Sequence, residues 1–194
     1  MKRGCLSAVA ALFLGALGLF AYTQLSAPRV DSVPLSQLPP EEQKVRRQEA
    51  RQLEDQVSNI ARAARAGEKK PFVLEVTDEQ LNTLLQDRVD LSKFPIRDLR
   101  VGFEPGRVVA QGEVKYSGVS ATATLVGNVT LENGQLIYIT DSLQVMGVPA
   151  PAEWKEKLDK EVTKQLNVAL KKAPGRVDEV RLESGKMIVS GQTD

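Results

Sequence analysis

The sequence predicts an α+β fold: a curved antiparallel sheet of hairpins packed on a long amphipathic helix, preceded by an N-terminal membrane segment and an extended helix. Three observations lead there. From about Asp98 the apolar residues recur at every second position, the period of strands buried on one face. A turn motif, apolar-Glu-x-Gly-(Arg/Gln/Lys)-apolar-apolar, occurs three times: from Phe103 to Val109, Leu131 to Ile137 and Leu182 to Ile188. After the strands comes a long stretch of helical period, and strand runs set beside long helices define the α+β class.

In chain order, Lys2 and Arg3 precede an uncharged stretch that runs to Ala27. Its apolar part, Gly4 to Tyr22, would reach ~28 Å as a helix, about the hydrocarbon thickness of a bilayer. Residues 1–28 therefore read as a signal-anchor or a signal peptide. The basic residues before the span place the N-terminus in the cytoplasm and the domain outside. Ala16 and Gly18 have the small side chains of a cleavage site, but a cut there leaves Leu19-Phe20 at the new terminus. Leu25-Ser26-Ala27 is followed by Pro28, which opposes cleavage. Cys5 precedes the apolar core, unlike the cysteine of a bacterial lipoprotein.

Residues 29–38 carry no periodicity and read as a linker. Residues 39–71 form the N-terminal helical segment. Pro39-Pro40-Glu41-Glu42 places proline and acids in a first turn. Val45, Leu53, Val57, Ile60 and Ala64 follow at helical spacing, and Gly67 is the stop. The apolar stripe is narrow and its heptad lapses at Glu49, so the helix either lies along a surface or stands partly free as a stalk.

Residues 72–194 form the hairpin domain. Phe72–Thr77 is a strand. Thr77-Asp78-Glu79-Gln80 is a capping box opening a short helix with Leu81, Leu84 and Leu85 on one face. The helix gives way to a loop between Asp90 and Phe94-Pro95. Leu99, Val101, Phe103, Val108, Ala110, Val114, Ala121, Ala123 and Leu125 then fall on one sheet face, and a further strand runs from Leu136 to about Val145. Gly106, Gly134 and Gly185 take the positive-φ positions of the three turns. Met146–Pro151 is a mostly apolar connection. The long helix, about 151–172, turns Trp154, Leu158, Val162 and Leu166 toward the sheet. Pro174-Gly175 stops it, and a last hairpin closes the chain.

The order from the capped helix (TDEQLNTLL, 77–85) through the glycine-turned hairpins, Gly147-Val148-Pro149-Ala150-Pro151, the long helix and the terminal Glu-Ser-Gly-Lys hairpin resembles the YpmS-like single-pass bacterial membrane proteins. More distantly it is similar to half of a tubular lipid-binding (TULIP-type) domain. That resemblance covers about 72–191 and implies a sheet wrapped on a long helix with an apolar groove between them. It brings no catalytic residues.

The composition excludes much chemistry. There is no histidine, which removes the commonest general base and metal ligand. The single cysteine leaves no disulfide within the chain and no thiolate metal site. Net charge is +1, so no strong field attracts nucleic acid. No cofactor motif occurs and no enzyme is expected. Carboxylates at Glu75, Asp78, Asp90, Asp98 and Asp141 read as surface or turn residues, Asp141 as a bulge or edge carboxylate. Two functions remain. In the first, a lipid or other apolar ligand lies between sheet and long helix, lined by the nine sheet residues above together with Trp154, Leu158, Val162 and Leu166. In the second, an envelope scaffold docks a protein through the 40–66 helix or a sheet edge. Either way, a reporter active only in the cytoplasm should stay silent when fused after Asp194; a signal from it would refute the topology.

Overall fold

The computed structural model describes residue 30 and residues 32–88, 96–116, 119–173 and 175–193. Lys2, Arg3, Cys5 and the apolar stretch Gly4–Tyr22 lie outside the described residues, as do Asp90, Phe94-Pro95 and Pro174. No helix among the described residues is long and apolar enough to cross a membrane.

The class is α+β; the described residues form three α-helices and two antiparallel sheets where one sheet was expected. The helices are α1 (Pro40–Arg65), α2 (Asp78–Arg88) and α3 (Ala152–Leu170). The strands are β1 (Pro71–Thr77), β2 (Ile96–Glu104), β3 (Arg107–Tyr116), β4 (Val119–Glu132), β5 (Gln135–Val145), β6 (Val148–Pro149), β7 (Arg176–Glu183) and β8 (Lys186–Gln192). The large sheet has order β2-β3-β4-β5-β6 and the small sheet β1-β8-β7. The sequence could not separate them, because the split depends on β1 pairing with β8 from the far end of the chain.

Local signals act as their chemistry dictates. Helix α1 ends at Gly67 (φ 69°), where the Glu68 N–H donates to Ala63 O and the Gly67 N–H to Ala64 O, satisfying the last carbonyls. The capping box of α2 is reciprocal: the Gln80 N–H donates to Thr77 Oγ1 (3.1 Å) and the Thr77 N–H to Gln80 Oε1 (3.0 Å). All three turn glycines have φ between 72° and 75°. Asn133 is also positive, as a type I′ turn requires.

The first and third turn motifs prove to be equivalent hairpins. Their registers match position for position, from Arg97↔Glu113 and Arg176↔Gln192 to Glu104↔Arg107 and Glu183↔Lys186. Both carry a bulge in the same place, beside Gly112 and beside Gly191. The two tips also hydrogen-bond each other reciprocally. The Gly106 N–H donates to Leu182 O (3.0 Å) and the Gly185 N–H to Phe103 O (2.8 Å). Equivalent atoms exchange equivalent bonds, which is the form of a two-fold contact, and it ties the small sheet to the large one.

One apolar cluster joins the elements. It includes Ala50 and Leu53 of α1, Leu81, Leu84 and Leu85 of α2, the inner faces of both sheets, and Leu158, Val162 and Leu166 of α3. Helix α1 is therefore laid along the domain. Three ion pairs fasten it to α2: Arg46–Glu79, Arg47–Asp87 and Glu54–Arg88. Of the stretch expected as a linker, Val30 is buried on the outer face of the large sheet against Val109 and Val126. Leu35 is buried too, and its N–H donates to Gln86 Oε1.

Helix α3 does more than cover a face. It runs beside the β5 edge and supplies that edge with polar partners. The Leu136 N–H donates to Asn167 Oδ1 (3.1 Å), and Asn167 Nδ2 donates back to Leu136 O (2.6 Å). The Tyr138 N–H donates to Thr163 Oγ1 (3.0 Å) and the Thr140 N–H to Asp159 Oδ1 (2.8 Å). Four helical residues advance ~6 Å and two strand residues ~6.7 Å, so the two ladders stay in step. On the opposite edge, Asn82 of α2 does the same for β2. The Val101 N–H donates to Asn82 Oδ1, and Asn82 Nδ2 donates to Val101 O, both at 2.7 Å. Asn82 is buried. Asn82→Ala should therefore cost about 2–4 kcal/mol by leaving two buried backbone groups unpaired, read as a lowered urea midpoint.

Candidate functional site

Of the thirteen residues expected to face one another, twelve are buried members of the larger apolar cluster, and Trp154 packs against it half-buried. Leu99 and Val101 have no accessible surface, and Ala121, the most exposed of the twelve, has 8%. A void large enough for a ligand leaves accessible surface on its walls. Among the described residues these positions carry almost no accessible surface, as in a close-packed protein interior.

The expected carboxylates are dispersed rather than paired. Glu75 lies on the exposed face of the small sheet and accepts from Lys186 Nζ at 3.1 Å. Asp78 begins α2; burial raises its pKa, and the Arg46 guanidinium offsets only part of the rise. Asp98 is an exposed residue of the β2 bulge, with φ 49°. Asp141 is the bulged residue of β5, lying between the pairs Val126↔Ser142 and Gly127↔Thr140. Its bulge shifts the inward residues of β5 from the even positions Leu136 and Tyr138 to the odd positions Leu143 and Val145. Among the described residues no three acidic, cysteine or histidine side chains gather as a metal site.

The polar residues that organise this region were not singled out in the sequence. Asp159, Thr163 and Asn167 stand at i, i+4 and i+8 beside the apolar stripe, a periodicity that was legible. Thr163 also donates to Tyr138 O at 3.4 Å, and Lys155 Nζ donates to Asp141 O at 3.0 Å. Tyr138 is buried over Gly127, where any side chain would collide with the phenol. The Met146–Pro151 connection is a tight turn with positive φ at Met146 and Gly147. Met146 and Val148 are about half exposed there, an apolar lip at one end of the large sheet. A second feature is a small cleft of about 110 Å³ between α1 and α2, rimmed by Arg47, Arg51 and Arg88.

No protein-family model matches the sequence, and no curated protein matches it.

Burial pushes the Tyr138 phenol well above its ordinary range, and the charges of Asp159 and Asp141 add to the effect. In the unfolded chain the phenol ionises near pH 10. The raised folded value means that this contribution to stability is complete below about pH 10 and is lost as the pH rises above it. Tyr138→Phe should flatten the alkaline limb of a stability-versus-pH curve measured by urea unfolding, with little change near neutrality.

Proposed function

We propose that this chain is a membrane-tethered, extracytoplasmic, non-enzymatic module that works by contact, with α1 as its docking surface for an envelope protein. The observation that carries the reading is how little of α1 its own domain uses. Ala50, Leu53 and Ala61 are the buried residues of a 26-residue helix. The helix keeps a long charged outer face, on which Val45 is 55% exposed. The basic-led apolar stretch at 4–22 supplies the tether. The absence of histidine and the dispersal of the carboxylates favour contact over chemistry. The filled space between sheet and α3 weighs toward this reading and away from a lipid held there.

A lipid reading keeps one observation on its side, the exposed Met146–Val148 lip, whose apolar side chains suit a lipid surface. It also fits the resemblance to YpmS-like and TULIP-type proteins.

Photo-crosslinking in cells separates the two. A crosslinking residue at Val45 should give one discrete protein adduct that the same residue at the exposed Val73 does not give. If instead Met146 gives lipid adducts, Val45 gives none, and lipid is extracted stoichiometrically from the purified full chain, the scaffold reading fails.

A further inference from the structure

We propose that the cleft between α1 and α2 binds a phosphate-type oxyanion, with Arg51 as its principal cation. Arg47, Arg51 and Arg88 line the cleft beside Glu54 and Asp87. Each carboxylate already holds one guanidinium. Arg47 Nε donates to Asp87 Oδ2 at 3.1 Å. Arg88 grips Glu54 with two bonds, Nε to Oε1 at 3.1 Å and Nη2 to Oε2 at 3.0 Å. Arg51 is exposed and has no carboxylate partner among the described residues. The cleft is thus a concavity with one positive charge more than its carboxylates balance.

The two ion pairs also orient donors. With Arg47 bound through Nε, its two terminal nitrogens remain free of the Asp87 bond. With Arg88 bound through Nε and Nη2, its Nη1 remains free of Glu54. Guanidinium donors fixed by neighbouring carboxylates and joined by an unpaired third arginine form the donor set that planar and tetrahedral oxyanions take up with several bonds at once. Buried Thr83 and Leu84 complete the lining, so the anion would sit partly shielded from water, where screening is weaker. A volume of about 110 Å³ leaves room for a phosphate group.

That phosphate has two sources, a soluble ion or ester and a lipid headgroup. The second rests on the tether reading and the first does not. Asp87 adjoins Gln86, which holds Leu35, so the cleft lies beside the chain that arrives from the N-terminal stretch. From Tyr22 to Val30 the chain spans at most ~28 Å, which bounds how far Val30 stands from the bilayer surface if residues 4–22 span it.

The test uses the full chain in nanodiscs. In phosphatidylcholine discs, inorganic phosphate is titrated calorimetrically. In discs containing phosphatidylglycerol, the lipid retained by the protein is counted by native mass spectrometry. Arg51→Ala should weaken whichever binding is observed at least tenfold, and Arg51→Lys should recover part of it. Arg65→Ala, at the far end of α1 and outside the cleft, should change nothing. Because the Arg51 side chain is exposed, its variants should keep the wild-type thermal midpoint. Phosphate binding that depends on Arg51 identifies a soluble anion, and Arg51-dependent retention of phosphatidylglycerol alone identifies a headgroup. Binding of neither probe, or binding indifferent to Arg51, overturns the proposal.

Discussion

The large sheet depends on closing its two outer edges. An unpaired strand edge is a row of donors and acceptors open to any other strand. Along β5 the account is nearly complete. Leu136, Tyr138 and Thr140 are served by Asn167, Thr163 and Asp159. Leu143 O accepts from the Ala150 N–H, and Val145 pairs with Val148 of β6. On β2 the carboxamide of Asn82 takes the place a neighbouring peptide would occupy. The same positions fix the helices. Because Asp159, Thr163 and Asn167 must reach the strand, Leu158, Val162 and Leu166 are turned into the core, so edge closure and core packing set one rotation of α3 together.

The equivalence of the β2–β3 and β7–β8 hairpins gives the molecule a second organising relation. Each presents its turn glycine to the other, and each inner strand takes a third strand on its far side, β4 on β3 and β1 on β8. The halves then diverge. The large sheet continues into β5 and β6, while the small sheet stops at β1.

Elements whose signals are local were legible in the sequence. The Thr77–Gln80 box, the Gly67 stop, the three glycine turns and the alternation from Leu99 to Leu125 each depend on residues a few positions apart, and each is present. The candidate lining residues share one cluster, but alternation does not report whether a face is packed shut. The split into two sheets was hidden because it rests on pairs such as Phe72↔Gly191. The cap on the β2 edge was hidden because Asn82 reads as an interruption of an apolar face until Val101 is placed beside it. The arginine cleft needed both helices at once, since Arg47 and Arg51 are ordinary surface residues until Asp87 and Arg88 arrive from α2.

The pairing of β1 with β8 bears on how the molecule assembles. These strands lie more than a hundred residues apart, and β8 is the partner that holds β1 in its sheet. Thr193 continues the seam: its N–H donates to Lys70 O, and its hydroxyl accepts from the Lys70 N–H. Contacts of such long range form late, because the loop they close must first be brought together at an entropic cost. The nascent chain would hold α1, α2 and the hairpins of the large sheet before β1 has its partner. Strand β1 can enter its sheet only once β8 has been made.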